Sequence, residues 1–277
     1  MLGPTSPQNS SAARPHELWP TTFCIGTAPI GRSYKSNAIQ VQHAHPLPLR
    51  LSDTCPMDGN ADFVFFRISK TNDVASSVFK YRQLRLEALK VSPASFASTY
   101  EAEAAFTDEY WVKLLTSPGR ETFICAAIPR PDNVHQFSNG TSKWVGQVSI
   151  LASSSSDPSS NNIDPGNDNE RWQMLSLFTF PEYRGKGLGK KLCHEVLDFI
   201  RDFKDQPKVA ELSLVVKAHN TAAVRLYERL GFAIVRRCTL VEALTANGDS
   251  HLLPADRSAS KYTDLSGLIM KSTVLRS

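Results

Sequence analysis

The chain has 277 residues, 41% hydrophobic and 21% charged, with 31 Lys+Arg against 27 Asp+Glu and a formal net charge of +4. This is the composition of a soluble globular protein, and it excludes a fibrous or wholly disordered chain. No apolar run approaches the ~18 residues of a membrane helix, and so slight a charge does not announce a nucleic-acid binder.

Residues 1–60 hold eight of the 17 prolines and no sustained apolar period. Such a stretch buries too little surface to repay its ordering entropy and reads as a disordered tail. It lacks the basic n-region and apolar h-region of a secretory signal. Its few acids and several serines faintly suggest an organelle transit peptide, and a dispensable tail is the preferred reading. His43 and His45 form an HxH in Pro-rich sequence, which reads as solvated histidine rather than a metal site. The five cysteines (24, 55, 125, 193 and 238) form no CxxC pair. Neither a zinc site nor a disulfide framework is expected, which points to a reducing, intracellular compartment. Cytoplasmic placement is the first reading, with nuclear or organellar placement left open.

From residue 61 to 277 the texture is that of one folded domain. Phe63-Val-Phe-Phe-Arg-Ile68 reads as a strand. Thr71-Asn72-Asp73 offers a helix N-cap, and Val74, Val78, Tyr81, Leu84, Ala88 and Val91 form one apolar stripe. A second helix is expected at 106–116, then strands at 121–128 and 143–151. Residues 153–169 (SSSSDPSSNNIDPGNDN) read as a low-complexity insertion inside the domain. Then come a strand at 171–180, a helix at 187–203, a strand at 209–217, a helix at 221–230, a strand at 232–241 and a last strand near 261–270. Strand–helix–strand alternation of this kind implies an α/β fold with a locally parallel sheet.

The informative segment is Leu177-Phe-Thr-Phe-Pro-Glu-Tyr-Arg184-Gly-Lys-Gly187-Leu-Gly189-Lys-Lys191. A strand enters a glycine-rich turn that opens a helix, where unpaired N–H groups and the positive dipole end suit a phosphate. Arg184, Lys186, Lys190 and Lys191 add positive charge. Walker A spacing fails, and so does GxGxxG, because the glycines fall at 185, 187 and 189.

Arg184-x-x-Gly187-x-Gly189 instead resembles the Q/R-x-x-G-x-G/A signature of the GNAT superfamily of acyl-CoA-dependent N-acetyltransferases. Asn220-x-x-Ala223-x-x-Leu226-Tyr227-Glu228-x-Leu230-Gly231-Phe232 resembles the family's second signature, and Leu84-Arg85-Leu86-Glu87-Ala88-Leu89 its first helix. The resemblance spans about residues 62–277. It implies a GNAT-like fold, a central mixed and strongly twisted sheet flanked by helices, with acetyl-CoA as cosubstrate and no metal. The strand at Phe178, Thr179 and Phe180 would then offer backbone groups to the pantetheine arm and thioester. The N–H groups of Arg184, Gly185, Lys186, Gly187, Leu188, Gly189 and Lys190 would hold the pyrophosphate. Asn220 would bond the pantetheine, and Tyr227 would be the acid toward the departing thiolate.

Each residue has a plainer reading too. Asn220 before Thr-Ala-Ala is a good N-cap, and the two roles are compatible. Tyr227 beside Leu226, Leu230 and Phe232 suits a core residue, and Cys193 reads as a buried thiol, not a nucleophile. The strand body Trp172–Phe180 has no carboxylate, which leaves Glu170 at its edge and Glu211 on the next strand as weak candidates for the base. Residues 93–110 and 242–260 are expected to shape the acceptor site, and the acids Glu101, Glu103, Asp108 and Glu109 would suit a cationic amine. The implied activity is acetyl transfer to the primary amine of a small molecule or peptide. The alternative from another class is a catalytically idle acyl-CoA-binding or scaffold protein. No nucleic-acid or membrane partner is expected, and the oligomeric state stays open.

Overall fold

A computed structural model describes residues 61–96, 99–129, 142–152, 170–247, 250 and 253–276. The tail 1–60 and the 153–169 insertion lie outside the described residues. Seven strands form one sheet: β1 (Ala61–Arg67), β2 (Arg120–Pro129), β3 (Lys143–Ala152), β4 (Glu170–Thr179), β5 (Val209–Lys217), β6 (Ala233–Cys238) and β7 (Gly267–Leu275). Their order across the sheet is β1-β2-β3-β4-β5-β7-β6. Only β4 and β5 run parallel, and every other neighbouring pair is antiparallel. The expected mixed α/β sheet is present.

The helices are α1 (Val74–Val91), α2 (Tyr100–Ala104), α3 (Asp108–Thr116), α4 (Leu188–Asp202), α5 (Thr221–Arg229), α6 (Leu240–Ala246) and α7 (Ser260–Thr263). α1 turns Val78, Tyr81, Leu84, Ala88 and Leu89 inward, the stripe read from the sequence shifted at its last position. Asp73 stands at its N-cap in the left-handed region (φ 50) without a side-chain bond. The N-cap position thus falls within the expected Thr71–Asp73, and in the turn before it Ser69 Oγ accepts the Asn72 N–H at 2.9 Å. α3 begins at Thr107, whose hydroxyl accepts the Tyr110 N–H, and it buries Trp111, Leu114 and Leu115. α4 buries Leu188, Leu192, Cys193, Val196 and Ile200, an i, i+4, i+8 face laid on β2, β3 and β4.

The C-terminal third departs from expectation. The last strand starts at Gly267, and the stretch read as loop carries α6 and α7. α6 is set by a local device that outweighs the polar texture: Thr239 and Glu242 close a reciprocal capping box. α2 was also not apparent, because five residues are too few to display a helical period.

The two faces of the sheet have different cover. A Cβ on Gly146 would come within 3.3 Å of Leu192 Cδ1, so alternate β3 residues from Gly146 face α4. Gln147, Ser149 and Leu151 face the other way, toward α1. α6 lies against β6 and β7, where Cys238, Leu240, Ala243 and Leu244 form a second small core with Val215 and Ile269.

Candidate active site

The centre of the molecule is the place where β4 and β5 part. Their ladder runs from Glu170↔Ala210 to Met174↔Leu214 and then stops, although β4 continues to Thr179 and β5 to Lys217. The cause lies on the other side of β4. Between Leu175, opposite Ser149, and Phe178, opposite Gln147, β4 carries one residue more than β3, with Ser176 at φ 56. A bulge of this kind bends its strand and turns backbone groups out of the ladder. A serine held in the left-handed region costs about 1 kcal/mol or more, which singles out the bulge as a feature of the site.

Beyond the bulge, Phe180 N–H donates to Val145 O at 3.0 Å, so this N–H is committed to β3. The alternate residue Thr179 turns its backbone toward the open side, and its carbonyl accepts Arg184 Nε at 3.1 Å. Among Phe178, Thr179 and Phe180, Thr179 is thus the one whose backbone faces the cleft. Phe178 and Phe180 contribute rings 5.3 Å apart, and Phe178 also packs on Phe96 at 5.2 Å.

The chain then turns through Pro181–Tyr183 into α4. Gly185 and Gly187 take φ +78 and +73, and a Cβ built on either meets nothing within 4 Å. The glycines are therefore needed for their backbone conformation, and the space beside them is open. The first bond into the helix runs from Lys191 N to Gly187 O at 3.1 Å, so the N–H groups of Leu188, Gly189 and Lys190 have no intrahelical acceptor. Where α3 and α5 are capped by Thr107 and Asn220, α4 has no side-chain cap. The positive end of the longest helix on this face is thus presented bare.

The positive side chains are less directly aimed than their spacing suggests. The Arg184 guanidinium bonds back to β4 and lies 5.8 Å from the Phe178 ring. Lys186 stands 6.0 Å from Phe63 and Lys191 5.6 Å from Phe65, both over aromatic rings of β1. Lys190 is exposed.

α5 closes the cleft from the α4 side, with Leu226 Cδ2 3.7 Å from where a Cβ on Gly189 would stand. Asn220 caps α5 by accepting the Ala223 N–H at 3.2 Å, which leaves its amide N–H groups for another partner. Two turns on, Tyr227 is buried against Phe232, ring to ring at 5.7 Å, and lies within electrostatic reach of Cys193. Burial pushes the Tyr227 phenol well above its ordinary value, with the Cys193 side chain adding to the effect. The same burial drives the Cys193 thiol up to about 12, so it is an inert core thiol.

Two sequence candidates are removed by position. Glu170 opens β4, eight residues before Phe178 and roughly 26 Å away at about 3.3 Å per residue. It is held there by Arg276 and by Lys204 at 3.4 Å. Glu211 sits at the same end of β5, 2.8 Å from Lys271. Both carboxylates are thus held in ion pairs at the end of the β4–β5 ladder away from the bulge. Of the acids expected to suit a cationic acceptor, Glu101 is exposed, Glu103 is buried with Arg85, and Asp108 pairs with Arg82 at 2.8 Å. Glu109 is held below its usual range by backbone and Thr107 hydrogen bonds at the start of α3.

Sequence reasoning missed Gln147 and Gln173. Gln147, beside Phe178 in register, is fully buried, and neither amide atom has a hydrogen-bond partner among the described residues. The available signal was an amide in the middle of a strand, Val145-Gly-Gln-Val148, otherwise apolar. Among the described residues no three or more His, Cys, Asp or Glu form a group able to hold a metal, and no helix is long and apolar enough to cross a membrane.

A strand that leaves its parallel partner and feeds a bare helix N-terminus through a glycine turn is an arrangement able to receive a phosphorylated ligand. Residues 130–232 match the model of the Acetyltransferase (GNAT) family, so the segment that carries both motifs is GNAT-like, as the sequence indicated. The chain is 41% identical over 71 residues to the N-terminal acetyltransferase B complex catalytic subunit NAA20 of Arabidopsis thaliana, which covers 24% of this chain and 38% of that protein. It is 38% identical over 66 residues to the [Ribosomal protein bS18]-alanine N-acetyltransferase of Escherichia coli K12, or 23% of this chain and 42% of that one. The chain thus spans about two fifths of the length of these curated relatives. Among solved structures, Arabidopsis thaliana NAA60 in complex with acetyl-CoA superposes with a TM-score of 0.43 at 19% identity, over 64% of this chain and 88% of that one.

Proposed function

We propose that the protein is an acetyl-CoA-dependent N-acetyltransferase that moves the acetyl group to a primary amine of a small molecule or peptide. The observation that carries this reading is the uncapped N-terminus of α4, reached through Gly185 and Gly187 with open space beside both, at the end of a strand freed from its parallel neighbour. The Arg184 N–H is given to Pro181 O at 3.1 Å, so the N–H groups from Gly185 to Lys190 hold the pyrophosphate, while the freed backbone around Phe178–Phe180, chiefly at Thr179, and the Asn220 amide line the pantetheine arm. The neutral amine nitrogen forms its bond to the thioester carbon, the carbon–sulfur bond breaks, Tyr227 gives a proton to the departing thiolate, and the proton shed by the amine nitrogen leaves through water and restores the Tyr227 phenol. A backbone N–H near Phe178 is the donor for the developing oxyanion.

Calorimetry with acetyl-CoA tests the cradle, and a thiol-release assay over amines, polyamines and peptides tests the chemistry. Acetyl-CoA binding that is abolished by Gly187→Glu, with turnover of at least one amine, is the expected result. Binding without turnover above hydrolysis would instead mark an idle acyl-CoA binder, and absence of binding would defeat both readings.

A further inference from the structure

Three neutral side chains occupy the side of the cleft away from α4. Gln173 is the β4 residue paired with Ser213 of β5, one step before the ladder ends. The Ser213 hydroxyl lies 2.5 Å from Gln173 Oε1 and donates to it, and Gln173 Nε2 donates to Asn247 Oδ1 at 2.9 Å. One amide thus ties both arms of the parting strands to the C-terminal end of α6. The face is fixed by register: Gln173 pairs with Leu151, an even number of residues from Gln147, on the face opposite Leu192 of α4. Tyr227, close to Cys193 of α4, works from the other face. The network and Tyr227 thus stand on opposite faces of the sheet. Gln147, the buried amide without a partner, lies on the same face on the far side of the bulge. Leaving such a group unpaired costs about 1–3 kcal/mol, which core packing does not explain.

We propose that Gln173, fixed by Ser213 and Asn247, hydrogen-bonds the acceptor next to its amine, and that the acceptor therefore carries an amide beside the amine, as at the N-terminus of a peptide. The inference rests on the N-acetyltransferase reading. Once its two bonds are made, the Gln173 amide keeps one N–H and one oxygen lone pair, the complement of a single peptide group. A polyamine calls for carboxylates, and Glu211, the carboxylate two residues from Ser213, is already held by Lys271.

The test is thiol release with three acceptors, a short peptide with a free N-terminus, the same peptide N-acetylated with an internal lysine, and spermidine. Wild type, Gln173→Ala, Asn247→Ala and Asn247→Asp are compared. The free-N-terminus peptide is the expected best acceptor. Gln173→Ala should raise its KM tenfold or more and leave the KM for acetyl-CoA within twofold. Asn247→Ala should move the peptide KM the same way, and Asn247→Asp, which keeps the accepting oxygen, should restore it. If Gln173→Ala does not fold, the two Asn247 variants at the partly exposed end of α6 decide the matter. Preference for spermidine, an unchanged peptide KM, or a KM that rises equally for acetyl-CoA would overturn the assignment while the transferase reading stands. Binding of acetyl-CoA with no acceptor consumed would overturn the transferase reading itself, and this inference with it.

Discussion

Arg85 of α1 and Glu103 of α2 meet in a two-bond ion pair sealed from solvent, Nε to Oε2 at 2.9 Å and Nη2 to Oε1 at 2.6 Å. The Phe96 ring lies 4.4 Å over the same guanidinium and 5.2 Å from Phe178, so the pair joins the segment after α1 to the strand end that lines the cleft. Removing one partner leaves a buried charge without compensation, which typically costs 3–5 kcal/mol. Glu103→Gln should therefore lower the free energy of denaturant unfolding by about 3 kcal/mol or more, and the double change Arg85→Met with Glu103→Leu should recover most of it. A loss below about 1 kcal/mol in the single variant would show the pair to be incidental.

Gly187 separates backbone strain from ligand exclusion. Its φ of +73 costs an alanine about 1 kcal/mol, and no atom lies within 4 Å of the new Cβ. Gly187→Ala is expected to fold with a Tm only a few degrees lower, while acetyl-CoA affinity measured by calorimetry drops at least tenfold. Equal affinity would move the pyrophosphate away from this turn.

Asn220 has a cap role that is visible and a ligand role that is proposed. Asn220→Ala should cost about 1 kcal/mol through loss of the bond to the Ala223 N–H. Asn220→Asp keeps the cap and removes the amide donor. Unchanged thermal stability with a raised KM for acetyl-CoA in the aspartate variant is the outcome expected of a residue that does both.

Tyr227→Phe should lower kcat with little change in the KM for acetyl-CoA. Because burial raises the phenol's pKa, it stays protonated, and therefore able to donate, across the neutral and mildly alkaline range. No alkaline limb of the rate profile should vanish in the phenylalanine variant; a limb between pH 8 and 10 that disappears on substitution would contradict the buried environment.

The thiols make a pH prediction of their own. Cys125 and Cys193 are driven by burial from 9.0 to about 12 in the folded protein. Raised folded values mean that the folded state holds protons which the unfolded chain releases. Stability from this source is full below pH 9 and is lost as pH rises toward 12, at up to about 1.4 kcal/mol per pH unit for each thiol. Urea unfolding at a series of alkaline pH values should show this slope, and Cys193→Ala should reduce it by one proton's share.

How much of this was legible in the sequence differs from element to element. The glycine turn, the helix it opens, the α5 cap and the apolar stripe of α1 are local matters. Three glycines in five residues, an Asn before Thr-Ala-Ala and a period near 3.6 are readable because the forces that set them act within one or two turns. The sequence by itself therefore determined the α/β class and the place of the glycine turn, for which we propose phosphate and acyl-CoA binding. It did not determine which charges face the cleft. Glu170 and Glu211 looked available as bases until strand register put both at the far end of the parting pair, in the hold of Arg276 and Lys271. Glu103 looked suited to a cationic acceptor until the fold buried it against Arg85. Gln173 carried no mark at all, because its partners Ser213 and Asn247 lie 40 and 74 residues along the chain. Register, face and burial come from pairing between distant segments, and the tertiary structure alone decides them.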